Sequence, residues 1–219
     1  VRLHRSTRAS STREAADLEP CRVALCCPSM SALEATAMSY SDYLALEQAS
    51  ETKHEYVNGL VYAMAGGTPE HARLAMQLGR LLGNALAGRP CSPFTSDLRV
   101  RIAATRRSTY PDLSVVCHEL KRASDDPDAI VNPTLLAEVL SDSTEASDRG
   151  EKWAHYQRIE SLQEYVLVSQ RERRVEVFRR ADEGWTYAAY HEGEVELRSL
   201  GVMLSIEALY HDPLASSAS

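Results

Sequence analysis

The chain has 219 residues, of which 44% are hydrophobic and 25% charged, and its formal charge is −7. That length suits one sizeable core plus tails, and no apolar run approaches the roughly 18 residues that cross a bilayer, so neither a membrane span nor a string of domains is expected. The acidic balance excludes a protein coated in basic patches, although a local groove can be basic on an acidic chain. The cysteines, Cys21, Cys26, Cys27, Cys91 and Cys117, are odd in number and show no second Cys/His pair at zinc spacing. No disulfide framework and no zinc site is read from them, and a reducing cytoplasm is the expected home.

Residues 1–37 mix Arg, Ser, Ala and Glu without a period, and their longest apolar stretch, Val23 to Cys27, is too short for a signal peptide. A disordered extension is expected there, a domain over 38–212, and a flexible tail over 213–219. Ser39 or Ser41 caps a short helix to about Gln48. Asn58-Gly59 then joins Glu55-Tyr56-Val57 to Leu60-Val61-Tyr62 in a tight hairpin, because both turn residues tolerate positive φ. Pro69 opens a long helix to about Ala87, with Leu74, Leu78, Leu81, Leu82 and Leu86 at helical spacing and Gly88 closing it.

The middle of the chain reads as strands. Leu98, Val100 and Ile102 alternate with Asp97, Arg99 and Arg101, while 113–117 and 135–140 are short, nearly continuous apolar runs of the buried kind. Residues 124–133, rich in Asp and Pro, read as a polar loop, and 141–147 as another. A helix over 148–159 follows, with Asp148 and Glu151 as a capping pair. Strands are expected at 164–168, 175–178, 185–190 and 194–197, and a short helix at 206–210. The order implies an α/β sandwich with a mixed central sheet flanked by helices.

Two acids do not belong in their surroundings. Asp112, after Tyr110-Pro111, stands at the mouth of an apolar strand, and Glu138 interrupts the run Leu135 to Leu140. A buried carboxylate needs a cation, hydrogen-bond donors or a raised pKa. If the strands are neighbours, both acids could share one cation, and two carboxylates with a backbone carbonyl, such as that of Val139, form the hard-oxygen set that magnesium or manganese prefers. Lys152 is the third element, and it shares a helix face with Asp148 and Tyr156 at i, i+4 and i+8. It is one of only three lysines, with Lys53 and Lys121, on a chain whose other cations are arginines. Such an ammonium could orient a water and stabilise charge on a phosphate.

Pro111-Asp112, Glu138-Val139-Leu140 and Lys152 resemble the Pro-Asp, Glu-x-Lys pattern of the restriction-endonuclease-like superfamily, with Leu140 where the lysine usually stands. Glu-Val-Leu-Ser followed by Asp-Arg-Gly-Glu-Lys-Trp-Ala-His-Tyr, then Glu164-Tyr165-Val166-Leu167-Val168, is similar to the Uma-two family of endonucleases, in which the lysine has moved to the following helix. Lys53 to Gly59 and His71 fit as well, so the resemblance covers roughly residues 40–210. It implies a restriction-endonuclease-like fold, Asp112 and Glu138 as ligands of magnesium or manganese, and Lys152 as the catalytic lysine.

Glu55, His71 and Tyr156 are the supporting candidates, and Asp97 is a further one. Each also has a plain reading: Glu55 pairing with Lys53 on a hairpin, His71 as a hydrogen-bonded histidine in a first helical turn. Arg99, Arg101, Arg106 and Arg107 form the most basic stretch, either a solvated hairpin or a track for a phosphate backbone. The expected activity is metal-dependent endonucleolytic hydrolysis, with DNA first among the nucleic-acid partners, a homodimer as an option and no membrane partner. The alternatives are an inactive nucleic-acid-binding or regulatory module on the same fold, and an enzyme of small phosphate esters.

Overall fold

The computed structural model of the chain describes residues 37–214. The expected extension lies outside them except for residue 37, as does the tail beyond residue 214. The first described element is α1 (Tyr40–Ala49), where the Ser39 hydroxyl accepts the Asp42 N–H at the cap. Asn58 and Gly59 take φ of 49° and 95°, which lets β1 (His54–Val57) fold straight back onto β2 (Leu60–Ala63). In α2 (Pro69–Ala85) Thr68 caps the first turn, and Leu74, Leu78 and Leu82 face inward.

The strands then follow as β3 (Cys91–Thr95), β4 (Arg99–Ile102), β5 (Arg107–Thr109), β6 (Leu113–Cys117), β7 (Arg122–Ala123), β8 (Asp126–Ile130) and β9 (Leu135–Leu140). Two short helices, α3 (Glu145–Arg149) and α4 (Glu151–Tyr156), lead to β10 (Glu164–Ser169), β11 (Val175–Ala181) and β12 (Gly184–Tyr190). A hairpin of β13 (Glu194–Leu197) and β14 (Val202–Ser205) ends in α5 (Ile206–Tyr210). One six-stranded sheet has the order β2-β1-β5-β4-β8-β7, the other β12-β11-β10-β9-β6-β3. Both are mixed, through the parallel pairs β4 with β8 and β9 with β10.

Strand β9 runs through the middle of the second sheet and divides the core. Leu135, Ala137 and Val139 point to α2 and the C-terminal hairpin, whereas Leu136 and Leu140 point to Val100, Ile102 and Ile130 of the other sheet and to Tyr156. Alternating side chains thus make one strand the wall of two apolar clusters. Expected strands 113–117, 135–140 and 164–168 fall where the pattern put them.

Three expectations need correction, and one strand was missed. The supposed loop 124–133 contains β8, whose Asp126 is buried against Arg99 rather than solvated. Strand β3 was hidden by Pro93, which is tolerated because β3 lies at the edge of its sheet. The helix expected over 148–159 is broken at Gly150 (φ −114°, ψ −91°), which makes no side-chain cap, so Asp148 and Glu151 are not a capping pair. Finally, Cys91 and Cys117, direct partners across β3 and β6, form a disulfide. The reducing compartment was inferred from the lack of one and loses that support. Among the described residues no helix is long and apolar enough to cross a membrane.

Candidate active site

Strand β6 pairs with β9 up to Leu113 opposite Ala137. One residue earlier the chain leaves the ladder, and Asp112 stands beside Glu138. Its backbone N–H donates to Glu138 Oε2 at 3.3 Å, and its Oδ2 accepts the Val139 N–H at 2.8 Å. The carboxylate therefore takes the place of the missing strand. Because the N–H and C=O of one strand residue point to the same edge, the Val139 carbonyl also faces this gap.

Glu138 is 3% exposed. Tyr156 donates its hydroxyl to Glu138 Oε1 at 2.7 Å, and Lys152 Nζ lies 3.1 Å from the same oxygen. The ammonium also stands 3.1 Å from Asp148 Oδ1 and 3.4 Å from Glu55 Oε1. The Asp148 contact is ionic without directed hydrogen-bond geometry. Glu55 is held from the other side by Arg107 Nη2 at 2.8 Å and by the Thr109 hydroxyl. His71 closes the cluster, its Nε2 3.0 Å from Asp112 Oδ2.

The electrostatics follow from crowding. Burial pushes the Glu138 carboxyl up to about 8; Lys152 pulls it back, while Asp112 and Asp148 push it further. Burial lowers the Lys152 pKa, but Glu138, Glu55 and Asp148 together raise it well above the ordinary value. Glu55 is lowered overall, because Lys152 and Arg107 outweigh its burial. The hydrogen bond to Asp112 raises His71 against burial, and the Asp148 charge and the Val139 backbone add to it.

The sequence candidates Asp112, Glu138, Lys152, Glu55, His71 and Tyr156 thus stand in one connected network, with Val139 at its edge. Asp97 is not part of it: it is exposed and paired with Lys53, the cation expected beside Glu55. Arg99, Arg101 and Arg107 are buried, on Asp126, Asp125 and Glu55 respectively, so they form neither a solvated hairpin nor a phosphate track. Arg106 alone of the four is exposed. Sequence reasoning missed Asp148, 1% exposed, by giving it to a cap. Its i, i+4 spacing to Lys152 was the available signal. Asp112 and Glu138 thus stand side by side at the end of the β6–β9 pairing, with the Lys152 ammonium 3.1 Å from Glu138.

The profile of the Uma2 family, described as "Putative restriction endonuclease", matches residues 40–208. The chain belongs to the Uma2 family. Two relatives come from Synechocystis sp. (strain ATCC 27184 / PCC 6803 / Kazusa). The uncharacterized protein slr1290 is 37% identical over 175 residues, 79% of this chain and 91% of the relative. The uncharacterized protein sll1609 is 36% identical over 149 residues, 68% and 84% respectively. A crystal structure from Anabaena variabilis ATCC 29413, "a putative nuclease belonging to DUF820", superposes with a TM-score of 0.61 at 20% identity, covering 74% of this chain and 91% of that one. The Uma2 chain therefore has the restriction-endonuclease-like fold, with the first six-stranded sheet laid against the second, whose strand β9 carries Glu138 with Asp112 beside it.

Proposed function

We propose that this Uma2 protein is a divalent-cation-dependent endonuclease that hydrolyses DNA phosphodiester bonds. The observation that carries the reading is the Lys152 ammonium 3.1 Å from Glu138, on the acid that Asp112 touches through its backbone N–H. Membership of the family supports the nuclease class, and the donor chemistry supports the cofactor. Among the described residues no three His, Cys, Asp or Glu side chains converge as a ready-made cage. Magnesium needs none, since it is held by one or two carboxylates and keeps several waters. Asp112, Glu138 and the Val139 carbonyl would hold it.

When bound, the ion supplies Lewis-acid polarisation of the phosphoryl oxygen and a water that ionises near neutral pH. The chain's own groups do the rest. Lys152 holds a compact positive charge beside the reacting phosphate and orients the attacking water. Tyr156 and the Asp112 N–H fix the two oxygens of Glu138. Glu55, itself anchored by Arg107 and Thr109, keeps the lysine from swinging away, and His71 orients Asp112.

Incubation of the full chain with DNA and RNA in magnesium, manganese or chelator tests the reading. Cleavage of DNA that chelator stops is expected, and Lys152→Ala should lower it by roughly 100-fold or more while calorimetric metal affinity stays nearly unchanged. A variant as active as the parent removes the lysine from the chemistry. A second reading, an inert binding module, is favoured by how fully Lys152 is already neutralised by three carboxylates. Metal-independent nucleic-acid binding without cleavage would establish it.

A further inference from the structure

Residues 64–67, between β2 and α2, pass over the site and line two cavities at once, together with His71 and Asp112. The cavity on the Lys152 side measures about 360 Å³, and the one on the α2 side about 640 Å³. The crossing is pinned at both ends. Met64 donates its N–H to the Lys53 carbonyl at 2.9 Å, and the Thr68 hydroxyl bonds Gln170 at 2.8 Å. Gly67 passes so close to His71 that a Cβ would stand 2.8 Å from its Nδ1. Beneath, the Asp112 side chain is 16% exposed and that of Glu138 4%, so a phosphodiester must enter the cavities to reach them.

The lining indicates what enters. Tyr62, 53% exposed, stands in the Lys152-side cavity with the hydroxyls of Ser143 and Thr144, and Met76, 69% exposed, in the α2-side cavity. The cations there are already engaged: Lys53 with Asp97, Lys152 with three carboxylates, His71 with Asp112. Arg99, Arg101 and Arg107 are turned inward on acids. Duplex DNA is gripped through rows of Lys and Arg on its phosphates, and its bases are stacked out of reach. An unpaired strand carries phosphates too, but it also offers base faces that exposed side chains such as Tyr62 and Met76 can stack on or pack against, which an intact duplex does not.

We propose that the site takes an unpaired DNA strand, with a base in each cavity and the phosphodiester between them at Asp112, in preference to an intact duplex. The inference rests on the nuclease reading for its chemistry but not for its binding. A mixed-sequence single-stranded DNA oligonucleotide is titrated against the full chain in calcium, beside the same strand annealed to its complement, and both are then incubated in magnesium. The single strand should bind about tenfold more tightly or better. Tyr62→Ala and Met76→Glu, each on an exposed side chain that the fold does not need, should each lower that affinity by about tenfold and leave the thermal midpoint in place. Equal or tighter duplex binding, or two variants that bind like the parent, overturns this inference and leaves the nuclease reading standing. Single-strand preference without cleavage in magnesium does the reverse, and binding of neither probe overturns both.

Discussion

Three carboxylates, Glu55, Glu138 and Asp148, stand around Lys152, while Arg107 holds Glu55 from its other side and His71 holds Asp112 beside Glu138. Burial, with Asp112 and Asp148 adding to it, pushes the Glu138 pKa up to about 8 in the fold against an ordinary value of 4.5. The folded state therefore holds its proton more tightly than the unfolded chain. This contribution to stability is complete below about pH 4.5 and is lost as the pH rises to about 8. In chelator, Glu138→Gln should match the parent near pH 5 and exceed it near pH 8, by on the order of a few kcal/mol. Thermal melts at the two pH values check this, and an equal difference at both would contradict it. Asp148 admits a separate test, because the chain has three lysines. Asp148→Asn should raise acylation of Lys152 relative to Lys53 and Lys121, read by peptide mass spectrometry, and unchanged labelling would show that the aspartate does not hold the ammonium. The acids at 112 and 138 were legible because each breaks an apolar run. The inward turn of Arg99 and Arg107 was not, since their partners Asp126 and Glu55 lie 27 and 52 residues away.

Strand β9 shows why the lysine stands on a helix. Leu140, two residues after Glu138, is 4% exposed and packs in the cluster with Leu136, Val116 and Tyr156, so a lysine there would bury its charge among apolar groups. Leu140→Lys should destabilise the protein by about 3 kcal/mol or more, and Leu140→Lys with Lys152→Ala should not regain cleavage. Chemical denaturation and the cleavage assay read the two outcomes. A double variant as stable and active as the parent would mean that either position serves. Buried strands announce themselves by composition, as 113–117 and 135–140 did. Strands β3 and β8 did not, because Pro93 needs an edge to be tolerated and the Asp126 carboxylate needs Arg99. Both conditions are tertiary. The same holds for the break at Gly150, where a Cβ would lie 3.0 Å from the Ala146 carbonyl.

At the scale of the molecule, two six-stranded sheets share one buried layer, where the sequence implied a single mixed central sheet. The strands of the first are short and carry charged residues that find partners only once the sheets are assembled. The Cys91–Cys117 bridge joins neighbouring strands across 26 residues of sequence, and so ties a covalent ring that holds Arg99, Arg101, Arg107, Asp112 and the exposed turn at Ala103, Ala104 and Arg106. A ring can be cut once without falling into two. Limited trypsin digestion after Arg106 should leave a nicked protein that runs as one band without reductant and as two with it. Two bands without reductant would mean that the ring is open in solution.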